Sequence, residues 1–148
     1  MDIKSCTFFP FFLSLLTFCV LFMVTIREPE TLYRTRYNVR VVNGFTNNSS
    51  LPLVIWCASP ENDMGGRALQ EGDDYSWSQT TNFLGVGGNT RVFCTLKWDQ
   101  MRKKFDAFYI YRDSYRCSPF KMCVWMVKED GFYFSNDGLL FHKDFSWT

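Results

Sequence analysis

The sequence predicts an all-β fold, an antiparallel β-sandwich of about eight short strands stabilised by disulfides. Three observations predict it. Short segments recur in which apolar and polar residues alternate, the pattern of half-buried strands. Clusters of Gly, Asn, Asp and Pro separate these segments at short intervals, as turns do. No segment sustains the 3.6-residue period of an amphipathic helix. Antiparallel pairing follows from the short intervals, because a parallel crossover needs roughly a dozen residues or more.

Taken in order, the 148-residue chain opens with Lys4 and an uncharged run from Cys6 to Ile26, rich in Phe and Leu, which Arg27, Glu28 and Glu30 end abruptly. A basic start before an apolar run reads as a secretory signal. The alternative is a membrane anchor, since a span needs roughly 20 apolar residues. Pro10 and the position at the extreme N-terminus favour cleavage, although no small-x-small site stands near Val24-Thr25-Ile26. Either reading sends the rest into the secretory pathway. Residues 1–26 are thus expected to be a signal peptide, 27–36 a polar leader, and 37–148 a single β-sandwich domain, secreted and extracellular.

Within that domain, Tyr37, Val39 and Val41 alternate with Asn38 and Arg40, and a loop at 43–50 follows. Leu53, Ile55 and Cys57 share a side of the next strand, and residues 59–66 read as irregular between Ser59-Pro60 and Gly65-Gly66. A short strand is expected at 75–79, and Gly85, Gly87 and Gly88 mark a further loop. Val92, Cys94, Leu96 and Trp98 line one face of a strong strand. Residues 99–104 read as a charged turn, and 105–112 as its hairpin partner. Strands at 122–128 and 132–134 flank Glu129-Asp130-Gly131, where Asp-Gly supplies the positive φ of a tight turn. Asn136-Asp137-Gly138 turns again, and 139–141 and 145–147 close the chain.

Six cysteines are present. Cys6 and Cys19 would leave with the signal, and Cys57, Cys94, Cys117 and Cys123 remain as material for two disulfides in an oxidising compartment. Three pairings are open. Cys57 and Cys94 have apolar same-face neighbours, Cys117 lies in the Cys117-Ser118-Pro119 loop, and Cys123 opens a strand. The expectation is that the loop cysteine is tied to a strand cysteine and pins a long connection. Buried free thiols are the alternative. No metal is expected, because the sequence has one histidine, His142, and no C-x-x-C pair. Asn47-Asn48-Ser49-Ser50 holds two overlapping glycosylation sequons, at Asn47 and Asn48.

The ordered features resemble the plant self-incompatibility protein S1 family, or S-protein homologues. Val39-Arg40-Val41-Val42-Asn43 is similar to the family's opening strand, and Leu53-Val54-Ile55-Trp56-Cys57-Ala58-Ser59 to its first cysteine segment. Asn62-Asp63-Met64-Gly65 resembles an acidic-Leu-Gly signature, continued by Leu69 and Gly72. Thr90-Arg91-Val92-Phe93-Cys94-Thr95-Leu96-Lys97-Trp98 resembles the second cysteine strand. Phe108-Tyr109-Ile110-Tyr111-Arg112-Asp113, Cys117, Cys123-Val124-Trp125, Asp130-Gly131-Phe132-Tyr133 and Trp147 complete it, over about residues 37–148. Two departures stand out: Trp56 where the family commonly has histidine, and Met64 for its leucine. The resemblance implies a small secreted β-sandwich protein of recognition or signalling, whose founding members in poppy are stigma ligands that arrest incompatible pollen.

Chemistry is sparse by comparison. A histidine-based triad has only His142 for a base, and no G-x-S-x-G surrounds any serine. Asp73-Asp74 and Glu129-Asp130 are sequence neighbours, which suits turns and opposite strand faces better than the facing carboxylates of a glycosidase. Gly85-Val86-Gly87-Gly88 has no helix pattern after it to hold a phosphate. No enzyme activity and no cofactor are expected. A net charge of +1 gives no basic surplus for nucleic acid, and no membrane contact is expected after signal cleavage. Two function classes remain. One is an extracellular ligand in plant cell–cell recognition, in the manner of self-incompatibility, whose partner is a cell-surface receptor or other extracellular protein. The other is an extracellular carbohydrate-binding module. Candidate recognition loops are 43–50, 59–74, 80–90, 99–104 and 113–121. Phe108, Tyr109 and Tyr111, read as sharing a strand, with Tyr115 just beyond, are the notable aromatics, and most aromatics are expected in the core.

Overall fold

The computed structural model describes residues 14–19, 34–46, 50–82 and 91–148. The chain forms two compact units, residues 1–34 and Thr35–Thr148. In the first, residues 14–19 are helical and exposed. Among the described residues no helix is long and apolar enough to cross a membrane. Most of the expected signal segment, Asn47 and Asn48, and the glycine loop at 85–88 lie outside the described residues.

The second unit is a disulfide-stabilised sandwich with nine strands and one short helix among its described residues. The strands are β1 (Arg34–Asn43), β2 (Leu53–Ala58), β3 (Asp63–Leu69), β4 (Asp74–Asn82), β5 (Arg91–Trp98), β6 (Met101–Tyr109), β7 (Met122–Lys128), β8 (Gly131–Ser135) and β9 (His142–Phe145), with helix α1 (Ile110–Arg116) between β6 and β7. One sheet has five strands in the order β4-β1-β7-β8-β9, the other four in the order β3-β2-β5-β6. The period-two pattern decides which faces meet. Tyr37, Val39 and Val41 of β1, Leu53, Ile55 and Cys57 of β2, and Val92, Cys94 and Leu96 of β5 all enter one core. Trp125 fills its centre, fully buried, and donates its indole N–H to the Ala107 carbonyl at 2.9 Å. Phe105 and Phe134 meet it edge-on at 5.0 Å, a favoured geometry for aromatic pairs.

The pairs β2–β3, β2–β5, β5–β6, β7–β8 and β8–β9 are antiparallel. β1 runs parallel to β7, from Asn38 opposite Met122 to Asn43 opposite Val127. The hairpin of β5 and β6 forms as expected, and so does that of β7 and β8.

Several expected boundaries shift. β1 begins at Arg34, three residues before the expected domain start. The stretch read as irregular contains β3, which pairs with β2 through its glycines, Gly65 opposite Cys57 and Gly66 opposite Trp56. β4 is nearly twice its expected length. Most of the expected charged turn at 99–104 belongs to β6, and the closing strand is β9 rather than 139–141 and 145–147.

The cysteines pair Cys57 with Cys94 and Cys117 with Cys123. The first bridge joins directly opposed residues of β2 and β5 inside the core. The second corrects the expectation of a pinned long connection. Cys117 caps α1 rather than lying in open loop, and its partner is only six residues away.

Candidate recognition surface

The segment from Tyr109 to Cys123 is a short, tightly moored projection. β6 ends on an extended Tyr109 (φ −144°, ψ 115°), which is the N-cap of α1. The cap is served from inside the helix, where the Asp113 carboxylate accepts the Tyr109 N–H at 2.7 Å. Asp113 is fully buried, and Arg112 donates to both its oxygens at 2.8 Å while also donating to the Asp106 carbonyl at 2.7 Å. A buried carboxylate needs this kind of compensation. Burial opposes the charge on Arg112, but the bonds to Asp113 outweigh it and hold the guanidinium pKa above its ordinary value. At the far end, Cys117 N–H returns to the Asp113 carbonyl, and the bridge to Cys123 ties the turn to β7. The Asn136 side chain donates to the Ser118 carbonyl at 2.8 Å, and Asn38 N–H to that of Lys121 at 2.8 Å.

What this mooring presents to solvent is aromatic. Tyr111 is 70% exposed, Tyr115 83% and Phe120 62%. Tyr111 and Tyr115 stand four residues apart, so they are neighbours on one helix face. The Tyr109 ring meets Tyr111 edge-on at 5.4 Å. Beside them runs a groove of about 470 Å³, lined by Tyr37, Ile110, Tyr111, Ser114, Tyr115 and Lys121. Lys121 lies over the Tyr37 ring, 5.3 Å from its centre. Burial, and then the nearby Asp113 charge, raise the Tyr37 hydroxyl pKa. Of the residues read as sharing a strand, Phe108 and Tyr109 do lie on β6, with Phe108 in the core, whereas Tyr111 is on the helix.

A second cavity, of about 400 Å³, contains Ser135, Asp137, His142 and Asp144 in its wall, beside Arg116. These residue types invite a catalytic reading, and their bonds oppose it. The Ser135 hydroxyl donates to Asp137 at 2.8 Å and accepts from Gly138 N–H at 2.9 Å, so it is spent on the turn. Asp144 pairs with Arg116 at 3.1 Å, and Arg116 also covers the Phe134 ring at 4.0 Å. No hydrogen bond among the described residues joins His142 to Ser135 or to either aspartate. The other candidate carboxylates are equally engaged. Asp73 accepts the Gln70 N–H, Asp74 pairs with Arg40, Glu129 accepts the Thr46 N–H, and Asp130 pairs with Lys143. The described residues contain no cluster of metal-ligating groups.

Of the expected recognition loops, 113–121 supplies most of this surface, and 59–74 contains β3. Sequence reasoning missed the helix, and with it the pairing of Tyr111 and Tyr115. The available signal was Asp113, an acid four residues after a strand end.

Comparison with known proteins follows the same lines. The family model described as plant self-incompatibility protein S1 matches residues 38–147. S-protein homolog 6 of Arabidopsis thaliana is 36% identical over 88 residues, covering 59% of this chain and 60% of that protein. S-protein homolog 24 of the same plant is 29% identical over 123 residues, covering 82% and 74%. Self-incompatibility protein S1 of Papaver rhoeas is 34% identical over 99 residues, covering 64% and 65%. The match therefore spans about three fifths to three quarters of the length of these relatives. No solved structure gives a significant match.

Proposed function

The chain belongs to the plant self-incompatibility protein S1 family, and on that premise we propose that it is a small secreted, non-enzymatic ligand of plant cell–cell recognition, with a cell-surface receptor or other extracellular protein as its partner. Residues 1–26 serve as the cleaved signal, 37–148 as the recognition domain, and Asn47 or Asn48 as a glycan acceptor. One observation carries the reading. Tyr111 and Tyr115 are held out into solvent by a segment closed with a disulfide and a buried ion pair. Exposed tyrosines on a rigid support are typical anchors of protein interfaces, and rigidity lowers the entropy lost on docking.

The test is receptor capture. The full chain, produced through the secretory route of a host cell, is crosslinked to intact plant cells beside a Tyr111→Ala/Tyr115→Ala variant. Wild type is expected to enrich a membrane protein, and the variant to lose about 2 kcal/mol or more of affinity for it. Both side chains are exposed, so thermal stability should stay within about 0.5 kcal/mol. Equal capture by the folded variant would sink the assignment of this surface, and no enrichment by wild type would sink the ligand reading itself.

A further inference from the structure

A different face carries a second site. The outer face of the four-stranded sheet follows from its register. Val54 lies opposite Ala68 on one side and Lys97 on the other, and Trp56 opposite Gly66 and Thr95. Lys97 in turn faces Arg102, and Thr95 faces Lys104. One half of the face is therefore low and apolar (Ala68, Gly66, Val54, Trp56), and the other is cationic (Lys97, Arg102, Lys104).

Like charges directly opposite each other across a sheet are unfavourable, yet Lys97 and Arg102 stand so, and neither takes part in an ion pair among the described residues. The acids nearby do not relieve them. Asp106 is closed onto Arg91 by two bonds of 2.7 and 3.0 Å, and Asp63 accepts the Trp56 indole N–H at 2.8 Å and the Gly65 N–H at 2.9 Å. Glu61 and Asp99 lie in the turns outside the strands. Lys104 rests 3.9 Å from the centre of the Phe93 ring. In a chain whose net charge is only +1, this is a local surplus without a partner inside the fold.

Trp56 decides what kind of anion fits. Its N–H is tied down to Asp63, and a side chain at Gly66 would stand 2.8 Å from its Cε3 and collide with the Ile55 carbonyl. The indole therefore lies across β3 between Gly66 and Asp63, and the residue is 53% exposed. A protein hot spot usually seats an aromatic inside a partner's pocket. An exposed ring lying across a sheet instead offers a broad apolar surface, which can take the C–H face of a sugar ring. We propose that this face binds an acidic polysaccharide, a polyuronate chain whose sugar rings stack on Trp56 while its carboxylates meet Lys97, Arg102 and Lys104. Arg102 suits the role because a guanidinium can hold a carboxylate by two bonds. The proposal is independent of the receptor reading, since it uses another sheet and other residues.

The experiment measures retention of the full oxidised chain on immobilised polygalacturonate, with fully methyl-esterified polygalacturonate and poly-glutamate as comparisons. Polygalacturonate is expected to bind and to weaken with added salt, and the uncharged ester is expected not to bind. Trp56→Ala should weaken polygalacturonate about tenfold, the worth of one stacking contact, while leaving any poly-glutamate binding unchanged. Lys97→Gln/Arg102→Gln, at exposed positions that leave the core untouched, should weaken it by about tenfold or more. Tyr111→Ala/Tyr115→Ala should bind as wild type does. The proposal is overturned by no retention on polygalacturonate, by retention indifferent to Lys97→Gln/Arg102→Gln, or by poly-glutamate binding as tightly with the same dependence on Trp56. That last result would mark a surface for an acidic protein segment.

Discussion

Asp137 shows how much one side chain can be committed to a turn. Its carboxylate accepts the backbone N–H groups of Leu139 and Leu140, at 2.8 and 3.0 Å, and the Ser135 hydroxyl. These bonds, the backbone ones foremost, lower its pKa from 3.8 to about 2. The folded value lies below the unfolded one, so the stabilisation is complete above the unfolded pKa and is lost as pH falls toward about 2. Asp130, lowered by Lys143 and then by Tyr133, acts in the same direction. The denaturant midpoint of wild type should therefore fall between about pH 5 and pH 2, and Asp137→Asn should make that fall shallower. An unchanged pH slope in the variant would contradict the assignment. This turn was legible from Asn136-Asp137-Gly138, because turn residues announce themselves locally. Trp56 was not, since exposure of one strand aromatic depends on which sheet face finds a partner.

At the scale of elements, the two disulfides make different contributions. In the chain-entropy account a bridge stabilises according to the loop it closes. Closing 37 residues between Cys57 and Cys94 is worth about 4 kcal/mol, and closing six between Cys117 and Cys123 about 2 kcal/mol. Thermal melting of oxidised protein should show Cys57→Ala/Cys94→Ala lowering Tm more than Cys117→Ala/Cys123→Ala does. The reverse order would mean that the short bridge braces the core rather than the recognition segment alone. Four bridging cysteines were legible in the sequence, and their pairing was not, because registers between strands far apart leave no local mark. Helix α1 was hidden for another reason. Tyr109-Ile110-Tyr111 has strand-favouring residues, and the helix depends on a buried Asp113–Arg112 pair that only the tertiary fold supplies. β3 was masked by Gly65 and Gly66, which usually weaken a strand. At Gly66 a side chain would run into the Ile55 carbonyl first and the Trp56 ring next.

For the whole molecule, the sandwich class was readable from alternation and turn spacing, since both report directly on a layer with one buried face. The parallel pairing of β1 with β7 was not, because it joins residues more than eighty positions apart. That pairing bears on the order in which the molecule comes into being. The four-stranded sheet is built within residues 53–109, from which β4 alone among the described strands crosses to the five-stranded sheet, and that sheet takes its other strands from both ends of the domain. A chain emerging from the ribosome can complete the first sheet while β1, with β4 already available on one edge, waits for β7 to be made on the other. Distant pairings also form slowly, since loop closure must precede their reward. Pulse-labelled hydrogen exchange during refolding with disulfides intact should protect amides of β2, β5 and β6 before those that join β1 to β7, and simultaneous protection would refute this sequence of events. The first strand of the domain would then be held on one edge only until β7 arrives, and the fold would lock only when nearly all of the chain is present.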